Sequence, residues 1–379
     1  MFTLNKVLVL GTGNAQKDIL EYLKEKEYFV IASSNAAGYP AQKLADRFYQ
    51  VDITDAAATT ELAEREQVDF VYSVGSDVAM PTIAKVSRDL GLPCFVEYET
   101  AEICNHKNLL RQVLEENGIE GNISYQTIES IDETIHINFP AMMKPSDSQG
   151  QRGVRMVHSA EDVKAHFEDV IGFSREKKVI LESYIEGDEI SVNAFLQDGE
   201  LKFYLISDRE VWEEYPGGII REHFIPSKYE RNPEISAKVR LLVERVLSAI
   251  GLKNGPVYFQ IIISRDGQPF LIEVTPRLDG CHMWRAIKYA TGVDLLEASV
   301  DLLEGKAYAQ PRVFAVKPYS LEFMCGKPGT VFSTQNYSLP EHVFLCWYYA
   351  DGDLIAPLNG YFEKCGYAIK DGDHFLTVE

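Results

Sequence analysis

The feature that most constrains the fold is a regular alternation of short apolar and longer amphipathic segments over the first hundred residues. Apolar strands are predicted at residues 7–10, 29–32, 48–51 and 70–73, and helices near residues 15–26, 57–66 and 78–90. Strands separated by helices of this length pair in parallel through right-handed crossovers. The chain therefore begins with a predicted α/β domain over residues 1–98.

The turn after the first strand, GTGNAQ, is typical of a Rossmann-like domain. A dinucleotide-binding turn also requires a third glycine and an acidic residue about 20 residues further on. Here Gln16 replaces the third glycine, and the second strand ends at Ser33 and Ser34. The sequence therefore disfavours a nicotinamide-dependent dehydrogenase and leaves the turn for another ligand.

Charge and composition exclude several classes of partner. The 379 residues carry a formal net charge of -20, whereas binding to nucleic acid or to an anionic membrane surface requires clustered Lys and Arg. With no leader pattern and no long apolar run, we expect a cytoplasmic protein. The scattered cysteines, expected to be reduced, are Cys94, Cys104, Cys281, Cys325, Cys346 and Cys365.

A second domain is predicted over residues 99–308, with a lid subdomain at about residues 122–185. The segment NPEISAKVRLLVERVLSAIG carries the clearest helix signals, since Asn232 can cap its start and Gly251 its end. Its apolar stripe is interpreted as core packing. Residues 309–379 are predicted to form a small strand-rich C-terminal cap.

Lys144 lies at the end of an apolar strand and precedes the small, polar loop PSDSQGQRG. Backbone N–H groups of such a loop can bind a polyanion while the lysine neutralises its charge. A solvated hairpin loop accounts for the same residues equally well. The loop residues that are candidates for binding are Ser146, Ser148, Gly150 and Gly153.

Two apolar strands, VYFQIII and PFLIEVTP, are joined by SRDGQ, which suits a tight hairpin turn. The hairpin would place Gln260 opposite Glu273, with Arg277 just beyond. The side chains of Gln260 and Glu273 both supply oxygen atoms suited to Mg²⁺. The alternative is a purely structural ion pair between Glu273 and Arg277, but polar groups inside apolar strands need partners, which favours a functional site.

The order of these motifs along the chain resembles the ATP-grasp superfamily. The motifs are NHKNLL, the Lys144 loop, LESYIEGDEISV, FQIII with IEVTPRLDG, and ATGVDLLEASV. The resemblance covers residues 1 to about 305 and is greatest to carbamoyl-phosphate-synthase-like, biotin-carboxylase-like and amino-acid-ligase members. It implies an α/β architecture of a Rossmann-like domain, an ATP-grasp fold and the C-terminal cap.

The resemblance also implies roles for individual residues. Lys107 and Lys144 would contact the phosphates of ATP, and the loop at 146–153 would cover them. Glu182 would lie near the exocyclic amine of adenine. The remaining roles fall to Tyr184 and Ile185 for the adenine edge, Glu189 for the ribose, Gln260, Glu273 and Thr275 for Mg²⁺ or Mn²⁺, and Arg277 for the transferred phosphoryl group.

Two positions depart from the pattern of many family members, which carry a carboxylate in place of Gln260 and Asn in place of Thr275. Both residues still offer an oxygen atom. We therefore expect one magnesium ion to bind and expect the loss of negative charge to affect mainly a second ion. Lys144→Ala is expected to abolish phosphoryl transfer and to leave folding nearly unchanged.

The resemblance implies an ATP-dependent carboxylate–amine ligase that forms an acyl phosphate and releases ADP and phosphate. The alternatives are a bicarbonate-activating carboxylase and an ATP-binding regulatory protein without turnover. The implied partners are small-molecule carboxylate and amine substrates, and a homodimer is compatible with the family. Candidates for the acceptor pocket are the GTGNAQ turn with Gln16, Ser76, Asp77, Arg221, His223 and Asp279 to His282. The segment Tyr215 to Gly218 is interpreted as a mobile loop that could close over the substrate.

Overall fold

The N-terminal domain is a parallel α/β domain, as predicted. The computed structural model describes residues 5–39, 41–148, 152–212, 219–339, 341–357 and 362–372. The first elements are β1 (Lys6–Leu10), α1 (Lys17–Glu25), β2 (Phe29–Ser34), β3 (Arg47–Gln50), α2 (Ala56–Glu66), β4 (Phe70–Tyr72) and α3 (Met80–Leu90). The four strands pair in parallel in the order β3-β2-β1-β4.

A small antiparallel sheet follows within the limits predicted for the lid. Two helices, α4 (Tyr98–Asn105) and α5 (Lys107–Glu116), lead to it. Its elements are β5 (Tyr125–Ile128), β6 (Ala141–Pro145), β7 (Arg155–Val157), α6 (Ala160–Ile171) and β8 (Val179–Ser183). The strand order is β5-β8-β6-β7, so the strand that carries Lys144 pairs directly with the strand that carries Glu182.

A large antiparallel sheet forms the rest of the molecule. Its elements are β9 (Gly187–Gln197), β10 (Glu200–Val211), β11 (Ile220–Ile225), α7 (Pro233–Ile250), β12 (Gly255–Ser264), β13 (Pro269–Thr275), α8 (Met283–Thr291), α9 (Leu295–Leu303), β14 (Tyr319–Gly326), β15 (Phe344–Trp347) and β16 (Glu363–Asp371). The strand order is β13-β12-β9-β10-β11-β14-β16-β15.

The C-terminal strands are part of this sheet. The prediction that residues 309–379 are rich in strands is confirmed, but β14 pairs with β11 along four residues and continues the sheet of the preceding domain. The pairing covers the N–H and C=O groups along the free edge of β11, which would otherwise be unpaired. The predicted domain boundary at residue 308 therefore does not divide the sheet, which continues across it.

Helix α7 forms where the sequence predicts it. The Asn232 side chain accepts a hydrogen bond from the N–H of Ile235, Pro233 occupies the first turn, and Gly251 ends the helix at φ 71°. Six residues of the apolar stripe are buried in one cluster with Ile190, Val192 and Phe259 of the sheet. The stripe is core packing, as interpreted from the sequence.

Alternation along the strands gives the large sheet two different faces. Residues such as Ile190, Val192 and Phe259 share the buried cluster with α7. The residues between them, which point to the opposite face, are largely polar toward the start of β9 and the end of β10. This polar face holds Glu189 and the predicted metal ligands Gln260, Glu273 and Thr275. None of the helices in the described ranges is long and apolar enough to span a bilayer.

Candidate active site

The predicted metal ligands lie on the polar face of the large sheet. Gln260 pairs directly with Glu273 across β12 and β13, so their side chains emerge side by side, and Thr275 follows two residues later on the same face. The Gln260 Nε2 group donates to Glu189 Oε2 at 2.9 Å. The hairpin geometry deduced from SRDGQ is thus confirmed, and it brings Glu189 to the same group.

A narrow cleft joins this group to α5. Its lining includes Lys107, Ser148, Glu273, Thr275 and Asp77. The ammonium group of Lys107 donates to the Ser148 carbonyl at 2.7 Å. Burial lowers the pKa of Lys107, although the Glu273 carboxylate opposes that shift. The structure therefore brings Lys107, Ser148, Glu273 and Thr275 together from three separate segments.

The surroundings of Glu273 disfavour the negative charge of its carboxylate. Burial, reinforced by Asp77, raises the pKa of Glu273, whereas Lys107 and Arg277 oppose the rise. The Thr275 hydroxyl is buried and has no hydrogen-bond partner among the described residues. One carboxylate with the neutral oxygens of Gln260 and Thr275 fits a Mg²⁺ ion that takes its other ligands from nucleotide phosphates and water.

Within the described ranges, no group of three or more His, Cys, Asp or Glu residues is arranged to hold a metal ion. This agrees with a donor set that contains a single acidic residue. A bound ion would serve to neutralise phosphate charge, and Glu273, Gln260 and Thr275 would hold it.

Glu182 is the centre of a buried ion-pair network. Its two oxygens accept from Arg111 Nε at 2.7 Å and from Lys144 Nζ at 2.5 Å, and the side chains of Glu182 and Arg111 are each 1% exposed. Although burial opposes it, the charges of Arg111 and Lys144 lower the pKa of Glu182 to about 2. In this structure the carboxylate binds two cations, so its predicted contact with adenine stays a prediction.

This network corrects the expectation for Lys144→Ala. Lys144 is itself only 8% exposed and forms part of the packed network. Removing its ammonium group takes a partner from a buried carboxylate, which destabilises the fold. We therefore expect the substitution to lower stability as well as activity.

The base of the phosphate loop is anchored by Asp147. Its carboxylate accepts from the Ser174 hydroxyl at 2.7 Å and from the N–H of Arg175 at 3.1 Å. The fully buried Ser146 hydroxyl lies 3.4 Å from that of Ser174, so it faces the interior of the lid. Its assignment to the nucleotide is not supported by this orientation and stays a prediction.

Gly153 is held in the left-handed region at φ 74°, and a Cβ atom there would lie 2.8 Å from Phe173 and 2.9 Å from Pro145. A side chain at this position is therefore disfavoured by conformation, and it would also require Phe173 or Pro145 to shift. Gly150 lies outside the described residues.

One of the backbone groups predicted to contact the adenine edge is already used within the lid. The N–H of Tyr184 donates to the Pro140 carbonyl at 3.0 Å. The predicted contacts with the edge of the base therefore fall to the Tyr184 carbonyl and to the Ile185 N–H. The Tyr184 ring is 40% exposed beside them.

Arg277 links the large sheet to the N-terminal domain. Its Nε donates to Asp77 Oδ1 at 2.7 Å, its Nη2 contacts the same oxygen, and its Nη1 donates to the Leu278 carbonyl at 3.1 Å. The guanidinium also lies over the Tyr258 ring, 5.5 Å from its centroid. Asp77, a candidate for the acceptor pocket, is thus the partner of the residue predicted to act on the phosphoryl group.

Two acceptor candidates instead hold the fold together. Gln16 is buried, accepts from the N–H of Gly13 at 3.0 Å and donates to the Val74 carbonyl at 2.5 Å, so its amide stabilises the turn. The suggestion that Gln16 contacts the acceptor is wrong in this structure, because both ends of its amide are used by the backbone. His282 lies 2.9 Å from Asp18 Oδ2 and 2.7 Å from the Tyr348 hydroxyl, which occupies both ring nitrogens.

The other acceptor candidates differ in placement. Arg221 is paired with Glu210 near the surface. Asp279 is buried and accepts from the N–H of Cys281 at 2.8 Å. His223 is buried on the polar face, whereas Ser76 is buried next to Asp77. The segment at 215–218 lies outside the described residues.

Sequence reasoning missed Arg111, although a signal was present. Arg111 lies four residues after Lys107 on α5, so the two side chains share a helix face. It also missed Arg209, which forms an ion pair with Glu189 Oε2 at 2.9 Å. No local pattern distinguishes Arg209 from the other charged residues of its strand.

Comparisons with known proteins concern the family and the fold. Residues 137–284 match the family described as "ATP-grasp domain". The chain is 25% identical over 283 residues to formate-dependent phosphoribosylglycinamide formyltransferase of Rhodococcus jostii, covering 72% of this chain and 68% of that protein. The chain spans about half the length of other relatives with the same description, 48% for that of Actinobacillus pleuropneumoniae.

Solved structures share the whole fold. The L-amino acid ligase of Bacillus licheniformis is 16% identical, with a TM-score of 0.78 over 99% of this chain and 95% of that one. The biotin carboxylase domain of the Hydrogenobacter thermophilus 2-oxoglutarate carboxylase, solved with MgADP and bicarbonate, is 17% identical with a TM-score of 0.77 over 98% of this chain and 87% of that one. At these identities the likeness concerns the fold.

Proposed function

Because this chain belongs to the ATP-grasp superfamily of ADP-forming ligases, we propose that it is an ATP- and Mg²⁺-dependent carboxylate–amine ligase. A carboxylate oxygen of the acceptor attacks the γ-phosphorus of ATP, ADP leaves, and an acyl phosphate forms. An amine then attacks the acyl carbon and phosphate leaves. One C–N bond forms for each ATP that is cleaved, and the amine proton passes to solvent or phosphate.

One observation carries the proposal: Lys107, Glu273 and Thr275 line a single cleft, with Arg277 beside it. These residues come from a helix, a strand and the turn that follows it. Phosphoryl transfer depends mainly on positioning and on neutralising spread negative charge. A buried lysine, an arginine and a magnesium-binding carboxylate at one place supply those two requirements.

The roles of the chain's own groups follow from their positions. Lys107 neutralises phosphate charge from within the cleft. Lys144 does so from the lid, where its ammonium contacts a phosphate as well as Glu182. Arg277 stabilises the negative charge on the transferred phosphoryl group. The lid sheet covers the phosphates and excludes water, which protects the acyl phosphate from hydrolysis. No side chain becomes covalently modified.

The test is a phosphate-release assay with purified protein, ATP, Mg²⁺ and pooled amino acids and small acids. We expect at least one pool to release phosphate and ADP in equal amounts, and Glu273→Gln to lose that turnover. Glu61→Gln, a change at an exposed position on α2, is the matched control and should behave as wild type.

Three other outcomes of this assay would contradict the proposal. ATP turnover with bicarbonate alone, without any amine, would assign a bicarbonate-activating enzyme instead. A tight ATP complex that never turns over in any pool would assign a regulatory nucleotide-binding protein. Full activity in Glu273→Gln would place the reaction elsewhere in the molecule.

A further inference from the structure

A basic group on the polar face contains no residue that is assigned to the phosphates of ATP. It consists of Arg209 on β10, His223 on β11 and Lys364 on β16, and we call it the basic cluster. Lys107, Lys144 and Arg277 account for the cations assigned to the phosphates. The basic cluster is thus additional positive charge in a chain whose net charge is -20.

Two members of the basic cluster are buried side by side. Arg209 pairs directly with His223 in the register of β10 and β11, so both side chains point to the same face. The Arg209 side chain is 6% exposed and His223 is 0% exposed. The Arg209 Nε and both ring nitrogens of His223 have no hydrogen-bond partner among the described residues.

The position of Lys364, whose charge acts on His223, depends on an irregularity in the sheet. The pairing of β14 with β16 shifts register between Met324 and Cys325, which places Lys364 opposite Cys325. Register shifts of this kind re-aim side chains and are frequent next to binding sites. The Lys364 ammonium lies 3.6 Å from Cys281 Sγ and 3.6 Å from the centroid of the Phe323 ring.

Lys370 lies on the same strand but points to the other face of the sheet. Lys370 pairs with Ser320 of β14, and its side chain points to the face of the sheet opposite that of Lys364. Its ammonium bridges Glu222 at 2.5 Å and Glu322 at 3.0 Å. The two lysines of β16 therefore serve different faces of the sheet. Only Lys364 belongs to the basic cluster.

The basic cluster is close to the reaction site. Arg209 Nη1 lies 2.9 Å from Glu189 Oε2, the oxygen that also accepts from Gln260. The charge of Arg209 also acts on the carboxyl group of Glu273. A small molecule whose reacting carboxylate lies near Glu273 and Arg277 would extend along the sheet toward His223.

The chemistry of the basic cluster selects an anion. Burying a guanidinium without a full set of acceptors costs free energy, which a bound anion recovers through charge-assisted hydrogen bonds. Burial, followed by the charges of Arg209 and Lys364, holds the pKa of His223 well below its usual range, although the nearby Asp208 backbone opposes this shift. The His223 ring is therefore neutral, and the positive charge of the basic cluster comes from Arg209 and Lys364.

We propose that Arg209, His223 and Lys364 bind an anionic group, a carboxylate or a phosphate, that the acceptor carries in addition to its reacting carboxylate. This inference rests on the proposed ligase function and narrows its substrates to acids with two or more negative charges. The basic cluster holds the second anionic group while the first reacts.

The test compares acids that differ only in that second group. L-aspartate, L-glutamate and O-phosphoserine are assayed for phosphate release against L-asparagine, L-glutamine and serine, each with a pool of amines. The variants are Arg209→Gln and Lys364→Met, with Lys370→Met as the control on the same strand. Lys364 is half-buried, so its variant keeps the test valid even where Arg209→Gln fails to fold.

We expect only the doubly charged acids to be used. In Arg209→Gln and Lys364→Met the KM for the acid should rise by roughly tenfold or more, as for the loss of a charge-assisted hydrogen bond. In Lys364→Met the KM for ATP should stay at the wild-type value, and Lys370→Met should leave both constants unchanged. Preference for aspartate or glutamate would identify a carboxylate as the second group, and preference for O-phosphoserine a phosphate.

Equal use of the neutral acids, or an unchanged KM for the acid in both variants, would overturn the inference. If no acid supports phosphate release, the proposed function fails. Thermal stabilisation by succinate and by inorganic phosphate then tests by itself whether the basic cluster binds an anion. Stabilisation of the wild type that is lost in Lys364→Met supports an anion site. Absence of stabilisation in the wild type overturns it.

Discussion

At the scale of single residues, the candidate site depends on a few buried charges with specific partners. Glu182 joins the lid to α5 through Arg111 and also pairs with Lys144 on the neighbouring lid strand. Arg277 joins the large sheet to the N-terminal domain through Asp77. Removing one partner from a buried pair leaves an uncompensated charge, so such residues affect both stability and activity. Their two roles have to be measured separately.

Lys144→Ala is expected to abolish phosphate release and to lower the free energy of unfolding by about 1–3 kcal/mol, because Glu182 keeps Arg111 as a partner. Urea unfolding and single-turnover phosphate release measure the two effects. Lys85→Ala removes a surface pair with Asp89 and should cost less than about 1 kcal/mol. Equal stability of the two variants would show that Lys144 lies outside the packed network.

The low pKa of Glu182 predicts a pH dependence of stability. The pKa of Glu182 falls from its usual 4.5 to about 2 in the folded protein, so its contribution is complete above pH 4.5 and is lost as the pH falls toward 2. The stability difference between wild type and Glu182→Gln should therefore shrink by about 3 kcal/mol between pH 6 and pH 2. Urea unfolding over that range measures it, and a difference independent of pH would contradict the network.

At the scale of elements, short local patterns predict the helices and hairpins well. The Asn232 cap, the Gly251 exit and the SRDGQ hairpin all appear in the structure because each depends on interactions within a few residues. The sequence also places Gln260 opposite Glu273. It does not predict the register shift on which the position of Lys364 depends, because that shift arises in the pairing of two distant strands.

Gly153→Ala tests the packing of the loop base within the lid. The substitution creates contacts of 2.8 Å with Phe173 and 2.9 Å with Pro145. Gly118→Ala is the matched control, since Gly118 also has a positive φ of 59° but no atom within 4 Å of the added Cβ. We expect Gly153→Ala to cost about 1–3 kcal/mol more than the control and to raise the KM for ATP. Equal unfolding free energies in urea would contradict this packing.

At the scale of the whole molecule, a buried polar cluster holds three parts of the chain together. Asp18 on α1 accepts from Trp284 at 2.9 Å and pairs with Arg285 at 3.0 Å, and His282 connects it to Tyr348. Close approach of Gly75 to Gly280 at the same junction leaves no room for a side chain, since a Cβ on Gly75 would lie 2.7 Å from the Gly280 Cα. The N-terminal domain and the large sheet therefore form one packed body.

Asp18→Asn is expected to weaken this junction. The substitution removes the charge that Arg285 and His282 share, and breaking a buried network of this kind costs about 3–5 kcal/mol. Thermal unfolding followed by calorimetry should show a lower midpoint and an earlier transition of the N-terminal domain. Asp89→Asn, at an exposed pair, is the control, and matching melting curves for the two variants would show that the cluster does not hold the domains together.

The sequence by itself determined the fold class, the order of the elements and most of the candidate nucleotide and metal residues. These depend on periodicity, capping and turn chemistry, which act over a few residues, and on a resemblance carried by motif order. Only the tertiary structure decided that Arg111 pairs with Glu182, 71 residues away, and that Asp18 meets His282, 264 residues away. It also showed that the Gln16 amide binds the backbone of its own turn and not a ligand. Arg209, His223 and Lys364 come to lie on one face of the sheet only in the folded chain. The physical reason is that a side chain's partner and burial depend on which distant strands are adjacent, and no local pattern records that.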